Sequence, residues 1–176
     1  MGKSRKTIQI IILFAVVLLG GYAIWTALFG QEGSGKTEAG DKPPAFSLAD
    51  TSGSIVSLSD FEGQPVVINF WGSFCEPCVR EMPEFERQYV KWKDQGLTIL
   101  AINLSEDTLT VNNFVNRFKL TYPVLRDVDR RVERQYGLRQ YPTTFFVKPD
   151  GSIMEVVVGG MLESDINQRV ERLLEL

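Results

Sequence analysis

The chain has 176 residues with a formal charge of −3, two cysteines and no histidine. The absence of histidine argues against hydrolases that use an imidazole base and against zinc sites built from cysteine and histidine, and two thiolates supply only half of a closed structural zinc site. We therefore expect no metal and no cofactor. An excess of 22 acidic over 19 basic residues also argues against a nucleic-acid partner.

An uncharged apolar run follows a short basic tail at the N-terminus. Residues 1–7 include Lys3, Arg5 and Lys6, and residues 8–29 carry no charge. At about 1.5 Å per residue this run would extend about 33 Å as a helix, enough to cross a hydrocarbon core of about 30 Å. The run is longer than the apolar part of a cleaved signal peptide, so we interpret it as a transmembrane signal anchor, with cleavage as the alternative.

The basic tail determines the expected orientation. Positive charge favours the cytoplasmic side, so we expect a single-pass protein of the cell membrane with a cytoplasmic tail at 1–7 and the rest of the chain on the extracytoplasmic side. Residues 30–44 are rich in glycine, serine and charged residues, which is typical of a flexible linker. The remaining residues, 45–176, are enough for one domain with its own core.

The first half of this domain shows a hairpin, a strand and a helix. Residues 46–61 alternate apolar and polar side chains around a turn at 51–54, which predicts a β-hairpin. Residues 65–71 form a continuous apolar run, the pattern of a strand covered on both faces. A helix is predicted from Cys78 to near Gly96, because apolar residues recur there at spacings of four and three, and Pro83 should bend it.

The second half predicts further strands and helices in alternation. We expect a strand at 97–104, helices at 108–118 and 129–136, and two antiparallel strands at 141–147 and 152–158 joined by the turn Pro-Asp-Gly. A last helix is predicted at 163–174, capped by Ser164 or the residue before it. This order predicts an α/β fold with a mixed central sheet and helices on both faces.

Both cysteines lie where a buried strand gives way to a helix. Cys75 and Cys78 are separated by two residues, and Pro77 suits the first helical turn. The unpaired N–H groups at a helix N-terminus stabilise a thiolate. We therefore expect Cys75 to be an exposed nucleophile toward disulfides and Cys78 to resolve the mixed disulfide. The alternatives are two core thiols or a structural disulfide in a non-catalytic module, although so small a loop constrains the unfolded chain little.

The segments FWGSFCEPC, KPPAFSLADTSGSIVSLSDFEGQPVVINFW, YPTTFFV and PDG resemble the extracytoplasmic thioredoxin-like proteins of the TlpA/ResA family. The similarity is closest to the ResA-type reductases of cytochrome c maturation and covers about residues 42–176 as well as the anchor. It implies a thioredoxin-like fold with an N-terminal β-hairpin extension and an inserted helical segment. It also implies a thiol-disulfide oxidoreductase whose redox pair is Cys75 and Cys78.

The resemblance also implies roles for residues around this pair. Pro142, after Tyr141, matches a cis-proline that faces the thiols, and the backbone beside it receives the substrate chain. Glu81 matches an acidic residue that relays protons to the thiols, and the alternative is an exposed carboxylate paired with an arginine. Asn69 stands where ordinary thioredoxins have a buried aspartate, so we expect any base function to have moved to Glu81.

Three further positions are implied to contact the substrate or tune the pair. Glu76 and Pro77 lie between the cysteines, and the carboxylate of Glu76 should make the pair less oxidising; the alternative is an acid that stabilises the helix start. Trp71 matches an aromatic residue of the active-site strand, with core packing as the alternative. Phe74 replaces a tryptophan that is common before the first cysteine.

The implied substrate is apocytochrome c, whose CxxCH disulfide is opened before haem attachment. The implied electron donor is a membrane thiol carrier of the CcdA type, and the N-terminal helix would lie in the lipid bilayer. One alternative keeps this chemistry but serves another extracytoplasmic client, such as spore-envelope assembly. Another is a peroxiredoxin-like peroxidase, since residues 46–71 resemble that family too; however, Gly72 and Ser73 do not supply the proline of its Pro-x-x-x-Thr/Ser-x-x-Cys motif.

Overall fold

The computed structural model describes residues 9, 11–22 and 36–175. The chain divides into two units, Met1–Ser34 and Gly35–Leu176. Residues 11–22 are helical, and within the described ranges no helix is both long and apolar enough to cross a membrane. The predicted basic tail, parts of the predicted anchor and the linker up to residue 35 lie outside the described residues.

A five-stranded mixed sheet forms the centre of the second unit. The order of its strands is β5-β4-β3-β6-β7, with β3, β4 and β5 parallel and β6 antiparallel to both of its neighbours. A separate two-stranded hairpin, β1-β2, precedes it. The strands are β1 (Ser47–Ala49), β2 (Ile55–Ser57), β3 (Val66–Trp71), β4 (Thr98–Leu104), β5 (Val124–Asp127), β6 (Thr143–Val147) and β7 (Ile153–Val158).

Helices cover both faces of this sheet, as predicted. Because side chains alternate between the faces of a strand, β3 supplies Val67 and Trp71 to one core and Ile68 and Phe70 to the other. The first core includes buried residues of α1, α2 and α4, and the second includes those of α3. The helices are α1 (Glu76–Trp92), α2 (Thr108–Phe118), α3 (Arg131–Gln135) and α4 (Glu163–Leu174).

Several element boundaries differ from the sequence prediction. Strand β5 was not predicted, because it is a short edge strand whose apolar run is only Val124 and Leu125. The region predicted as the second arm of the hairpin ends in a 3₁₀ helix at Leu58–Phe61. Helix α1 begins at Glu76 rather than Cys78 and continues through Pro83.

The start of α4 also differs from the prediction. The residue before the helix is Leu162, whose side chain forms no capping hydrogen bond. The expected cap by Ser164 or the residue before it is wrong, because both residues lie inside the helix. The backbone N–H of Leu162 donates instead to the carboxylate of Asp165 at 3.1 Å. The carboxylate of an acid in the first turn therefore accepts the hydrogen bond of the N–H that precedes the helix.

Residues 37–44 lie against the domain, where we expected the end of the linker. The N–H of Gly40 donates to the carbonyl of Ile153 at 2.8 Å, and the N–H of Ile153 donates to the carbonyl of Asp41 at 2.8 Å. The hydroxyl of Tyr136 donates to the carbonyl of Pro44 at 2.9 Å. These bonds hold the entry to the hairpin against β7 and α3.

Candidate active site

The junction between β3 and α1 presents the two cysteines at the N-terminus of a helix. Cys75 directly precedes α1, and its carbonyl accepts a hydrogen bond from the N–H of Val79 at 3.0 Å. Cys75 and Cys78 form a disulfide, and the N–H of Cys78 lies 3.4 Å from Sγ of Cys75. Pro77 occupies the first turn, as predicted. A thiolate formed at Cys75 on reduction would therefore face unpaired N–H groups of the helix.

The two sulfur positions differ in accessibility. Cys75 is 9% exposed and Cys78 is fully buried, so Cys75 is the more accessible of the two. The expectation of an exposed Cys75 is nevertheless wrong, because the surrounding chain covers most of this residue. Neighbouring Phe74 is 64% exposed. The exposed Phe74 ring therefore lies directly before the less accessible Cys75 in the active-site loop.

Trp71 packs beneath the redox pair rather than at the surface. It is fully buried, and its ring centroid lies 4.7 Å from that of Phe114 in α2. Its Nε1 has no hydrogen-bond partner within the described part of the chain. The expected substrate contact by Trp71 is therefore corrected to a packing role, because the side chain offers no surface to a substrate.

Glu81 is a buried carboxyl group one helical turn beyond Cys78. It is 1% exposed, so the alternative of an exposed carboxylate paired with arginine is wrong. Its Oε1 accepts a hydrogen bond from Nδ2 of Asn69 at 2.8 Å, and its Oε2 accepts one from the N–H of Met161 at 3.1 Å. Burial raises the pKa of Glu81 to about 7, against the lowering effect of these two bonds. The group can therefore gain or lose a proton near neutral pH.

Asn69 connects three elements of the site. From β3, its Nδ2 donates both to Glu81 in α1 and to Oγ1 of Thr144 in β6, the latter at 2.9 Å. Asn69 is fully buried, and its Oδ1 has no partner among the residues described. An aspartate here would add a second buried carboxyl group beside Glu81. The amide instead leaves Glu81 as the titratable group of this network.

Glu76 lies at the surface of the site. Its side chain is 83% exposed and forms an ion pair with Arg80 one turn later. The geometry fits an acid in the first turn of a helix that is supported by a pair at i and i+4. Its expected effect on the redox pair remains a prediction.

Pro142 lies beside the end of β3, from which the active-site loop leaves. Thr143 pairs with Phe70, so the preceding Tyr141–Pro142 peptide is placed next to this end of β3. The Tyr141–Pro142 bond is cis, as the resemblance implied. The carbonyl of Pro142 accepts a hydrogen bond from the N–H of Gly159 at 2.8 Å. Within the described residues, the backbone of Tyr141 makes no hydrogen bond to other backbone groups.

Glu106 holds the active-site loop, and sequence reasoning missed it. Its carboxylate accepts hydrogen bonds from the N–H of Ser73 at 2.8 Å, from the hydroxyl of Ser73, and from Nδ2 of Asn103 at 2.6 Å. Its position in the sequence could have indicated this role, because it follows β4, and the carboxyl ends of the parallel strands β3 and β4 lie at the same edge of the sheet. The carboxylate thus fixes the loop two residues before Cys75.

Known proteins share this sequence and architecture. The sequence profile of the AhpC/TSA family matches residues 39–156. A thiol-disulfide oxidoreductase ResA of Bacillus subtilis (strain 168) is 39% identical over 165 residues, which cover 94% of this chain and 91% of the relative. A ResA of Halalkalibacterium halodurans is 37% identical over 174 residues, covering 99% and 96% respectively.

A solved structure supports the same assignment of the fold. The crystal structure of a thiol:disulfide interchange protein described as DsbE, from Chlorobium tepidum, superposes with a TM-score of 0.74 at 29% identity. The match covers 79% of this chain and 99% of that chain. Together with the mixed sheet, the helices on both faces and the CxxC pair, it identifies a thioredoxin-like α/β fold.

Proposed function

We propose that this chain, which belongs to the AhpC/TSA family and is a thiol-disulfide oxidoreductase of the ResA type, reduces protein disulfides outside the cytoplasm from a membrane anchor at residues 8–29. The client in this proposal is apocytochrome c, whose CxxCH disulfide must open before haem is attached. A membrane thiol carrier of the CcdA type then returns the pair to the dithiol. The observation that carries the proposal is the Cys75–Cys78 pair at the start of α1 beside the buried Glu81.

The exchange proceeds in two steps at this pair. The Cys75 thiolate attacks one sulfur of the substrate disulfide, which forms a mixed disulfide and releases the other substrate sulfur as a thiolate. Cys78 then loses its proton and attacks Sγ of Cys75, which releases the second substrate thiolate. Two electrons pass from the cysteine pair to the substrate, which takes up two protons and leaves as a dithiol.

Glu81 provides a proton acceptor for the second step. Its carboxyl group lies one turn beyond Cys78 in α1. Its pKa of about 7 allows it to accept a proton near neutral pH. The Cys78 proton passes to the carboxylate of Glu81 as Cys78 attacks. The buried position of both groups keeps competing water away from this transfer.

The backbone of Tyr141 supports a binding mode for the substrate chain. Its N–H and carbonyl make no backbone hydrogen bonds within the described residues, and it stands beside the end of β3. An extended peptide can pair with these groups as an added strand. Its cysteine would then lie near Cys75 at the start of α1.

Trapping of the mixed disulfide tests the proposed chemistry. A Cys78→Ser variant should accumulate a covalent adduct with an oxidised peptide that carries CxxCH, because the resolving thiol is absent. A matched Cys75→Ser variant should give none. Redox titration of the wild-type pair tests the direction: a potential near that of DsbA, roughly −120 mV, would make the chain an oxidant and contradict the proposed reduction.

Two further measurements test the client and the location. Deletion of the gene should remove covalent haem from c-type cytochromes, and normal haem attachment would contradict the apocytochrome c client in favour of another client such as one in spore-envelope assembly. Labelling of a cysteine introduced at Ser59, with a reagent that cannot cross the membrane, should succeed on intact cells. Protection of that cysteine would contradict the extracytoplasmic location.

A further inference from the structure

Arg130 contacts the residue that precedes the cis-proline. Its Nη2 donates a hydrogen bond to the hydroxyl of Tyr141 at 2.9 Å, and its guanidinium carbon lies 5.9 Å from the centroid of the Tyr141 ring. Tyr141 is half-buried and packs against both cores of the domain. A charged donor therefore restrains the side chain next to the Tyr141–Pro142 peptide.

Glu133 fixes the guanidinium of Arg130. Nε and Nη2 of Arg130 donate to the two carboxylate oxygens of Glu133, the second bond being 2.9 Å long. The Glu133 side chain is only 10% exposed, whereas that of Arg130 is 42% exposed. Such a bidentate pair defines the plane of the guanidinium as well as its position. Arg130 thus approaches Tyr141 in a defined geometry.

Asp127, the last residue of β5, fixes the helix that carries this pair. Its buried carboxylate accepts hydrogen bonds from the N–H of Val132 at 3.2 Å and from the N–H of Glu133 at 2.8 Å. The first turn of α3 is therefore attached to the sheet. We call Asp127, Arg130 and Glu133 the Arg130 cluster.

Building on the proposed function, we infer that Arg130 is a positioning residue: through the Tyr141 hydroxyl it fixes the backbone that receives the substrate chain beside Cys75. The Arg130 cluster thereby connects edge strand β5 to the loop that enters β6. A backbone segment held in place before binding loses less conformational entropy when the substrate arrives. The expected consequence is tighter binding of a polypeptide substrate without any change at the sulfur atoms.

Single and double variants test this role. Tyr141→Phe removes the hydroxyl that accepts the bond, Arg130→Met removes the donor, and the double variant removes both. Each should raise the KM for reduction of an oxidised CxxCH peptide about fivefold with kcat unchanged. The double variant should show about the same increase as either single variant, because all three lose one interaction. The inference would be overturned if the increase in KM of the double variant equalled the product of the two single increases, or if the KM of the variants equalled that of the wild type.

A matched control and two further readouts complete the test. Arg131→Met changes the exposed neighbour of Arg130 and should leave KM unchanged. The redox potential and the rate of reduction by dithiothreitol should also stay the same in all variants, and a parallel change in them would show an effect on the fold or the sulfur pair instead. Amide hydrogen exchange at Gly159, whose N–H donates to the carbonyl of Pro142 at 2.8 Å, should be faster in Arg130→Met and Tyr141→Phe.

The exchange measurement separates this inference from the proposed function because it needs no substrate. If the wild-type protein leaves the peptide oxidised while exchange at Gly159 is faster in the variants, the proposed reduction is wrong and the restraint by Arg130 stands. Unchanged exchange would overturn the restraint whatever the activity of the wild type.

Discussion

Nδ2 of Asn69 donates a hydrogen bond to Oε1 of Glu81 at 2.8 Å inside the domain, where both residues are buried. This bond favours the ionised form of Glu81, as does the bond from the N–H of Met161. Loss of hydration favours the neutral form and is the larger effect, so the pKa of Glu81 is raised from 4.5 to about 7. The titration of Glu81 should therefore contribute to the pH dependence of both stability and thiol chemistry.

Glu81→Gln should change the pH dependence of stability. Because the pKa of Glu81 is higher in the folded than in the unfolded chain, its contribution is fully present below about pH 4.5 and is lost as pH rises through about 7. The shift corresponds to about 3 kcal/mol. The free energy of unfolding is measured in urea with the disulfide intact. The value for the variant minus the value for the wild type should therefore rise by about 3 kcal/mol from pH 4 to pH 8.

The slope of this difference isolates the titration of Glu81. Altered hydrogen bonds of the glutamine shift the stability of the variant by an amount that does not depend on pH. A control variant, Glu62→Gln, changes an exposed glutamate and should follow the wild-type curve. Parallel curves for Glu81→Gln and the wild type would contradict the raised pKa.

Asn69→Leu should raise the pKa of Glu81 further. The variant removes the Nδ2 donor, and the loss of a hydrogen bond to a carboxylate favours its neutral form. A carbon-13 NMR titration of the Glu81 carboxyl group should show a midpoint above 7. The matched control is Thr144→Val, which removes the other acceptor of Nδ2 at 2.9 Å but leaves the bond to Glu81. A midpoint that moves equally in both variants would contradict the direct effect of Asn69.

Local sequence patterns predicted those parts of the site that depend on neighbouring residues in the chain. The apolar run of β3 and the spacing of Cys78, Met82 and Phe85 are strong periodic signals, so the strand, the helix and the position of the cysteines between them followed from the sequence. Pro77 in the first turn likewise follows from local backbone chemistry.

Contacts between distant segments could not be predicted in this way. The environment of Glu81 depends on Asn69 in β3 and on Met161 in the loop between β7 and α4, and the spacing of residues within α1 does not contain that information. Glu106 reaches Ser73 across 33 residues of sequence, and Arg130 reaches Tyr141 across 11. The edge strand β5 lacked a long apolar run, so the sequence did not show where α3 would be attached.

Asp127→Asn should destabilise the domain by about 2–3 kcal/mol. The buried carboxylate of Asp127 accepts hydrogen bonds from two backbone N–H groups. The side-chain amide of asparagine would place its own NH₂ group opposite one of them and leave that buried N–H without an acceptor. Asp107→Asn is the matched control, since Asp107 caps α2 at an exposed position and asparagine caps helices about as well. Urea unfolding should show a much smaller loss for the control, and equal losses would contradict the role of burial.

Glu106→Ala should loosen the loop before the redox pair. The carboxylate accepts hydrogen bonds from both the N–H and the hydroxyl of Ser73. Its loss should therefore speed hydrogen exchange at Ser73 and increase the rate at which Cys75 is alkylated after reduction. Glu86→Ala is the matched control, because Glu86 holds the N–H and hydroxyl of Thr121 in the same way at 2.7 and 2.6 Å. Each variant should lose about 1–2 kcal/mol of unfolding free energy. Equal effects of both variants on alkylation of Cys75 would show that general destabilisation, and not the hold on Ser73, controls access to the sulfur.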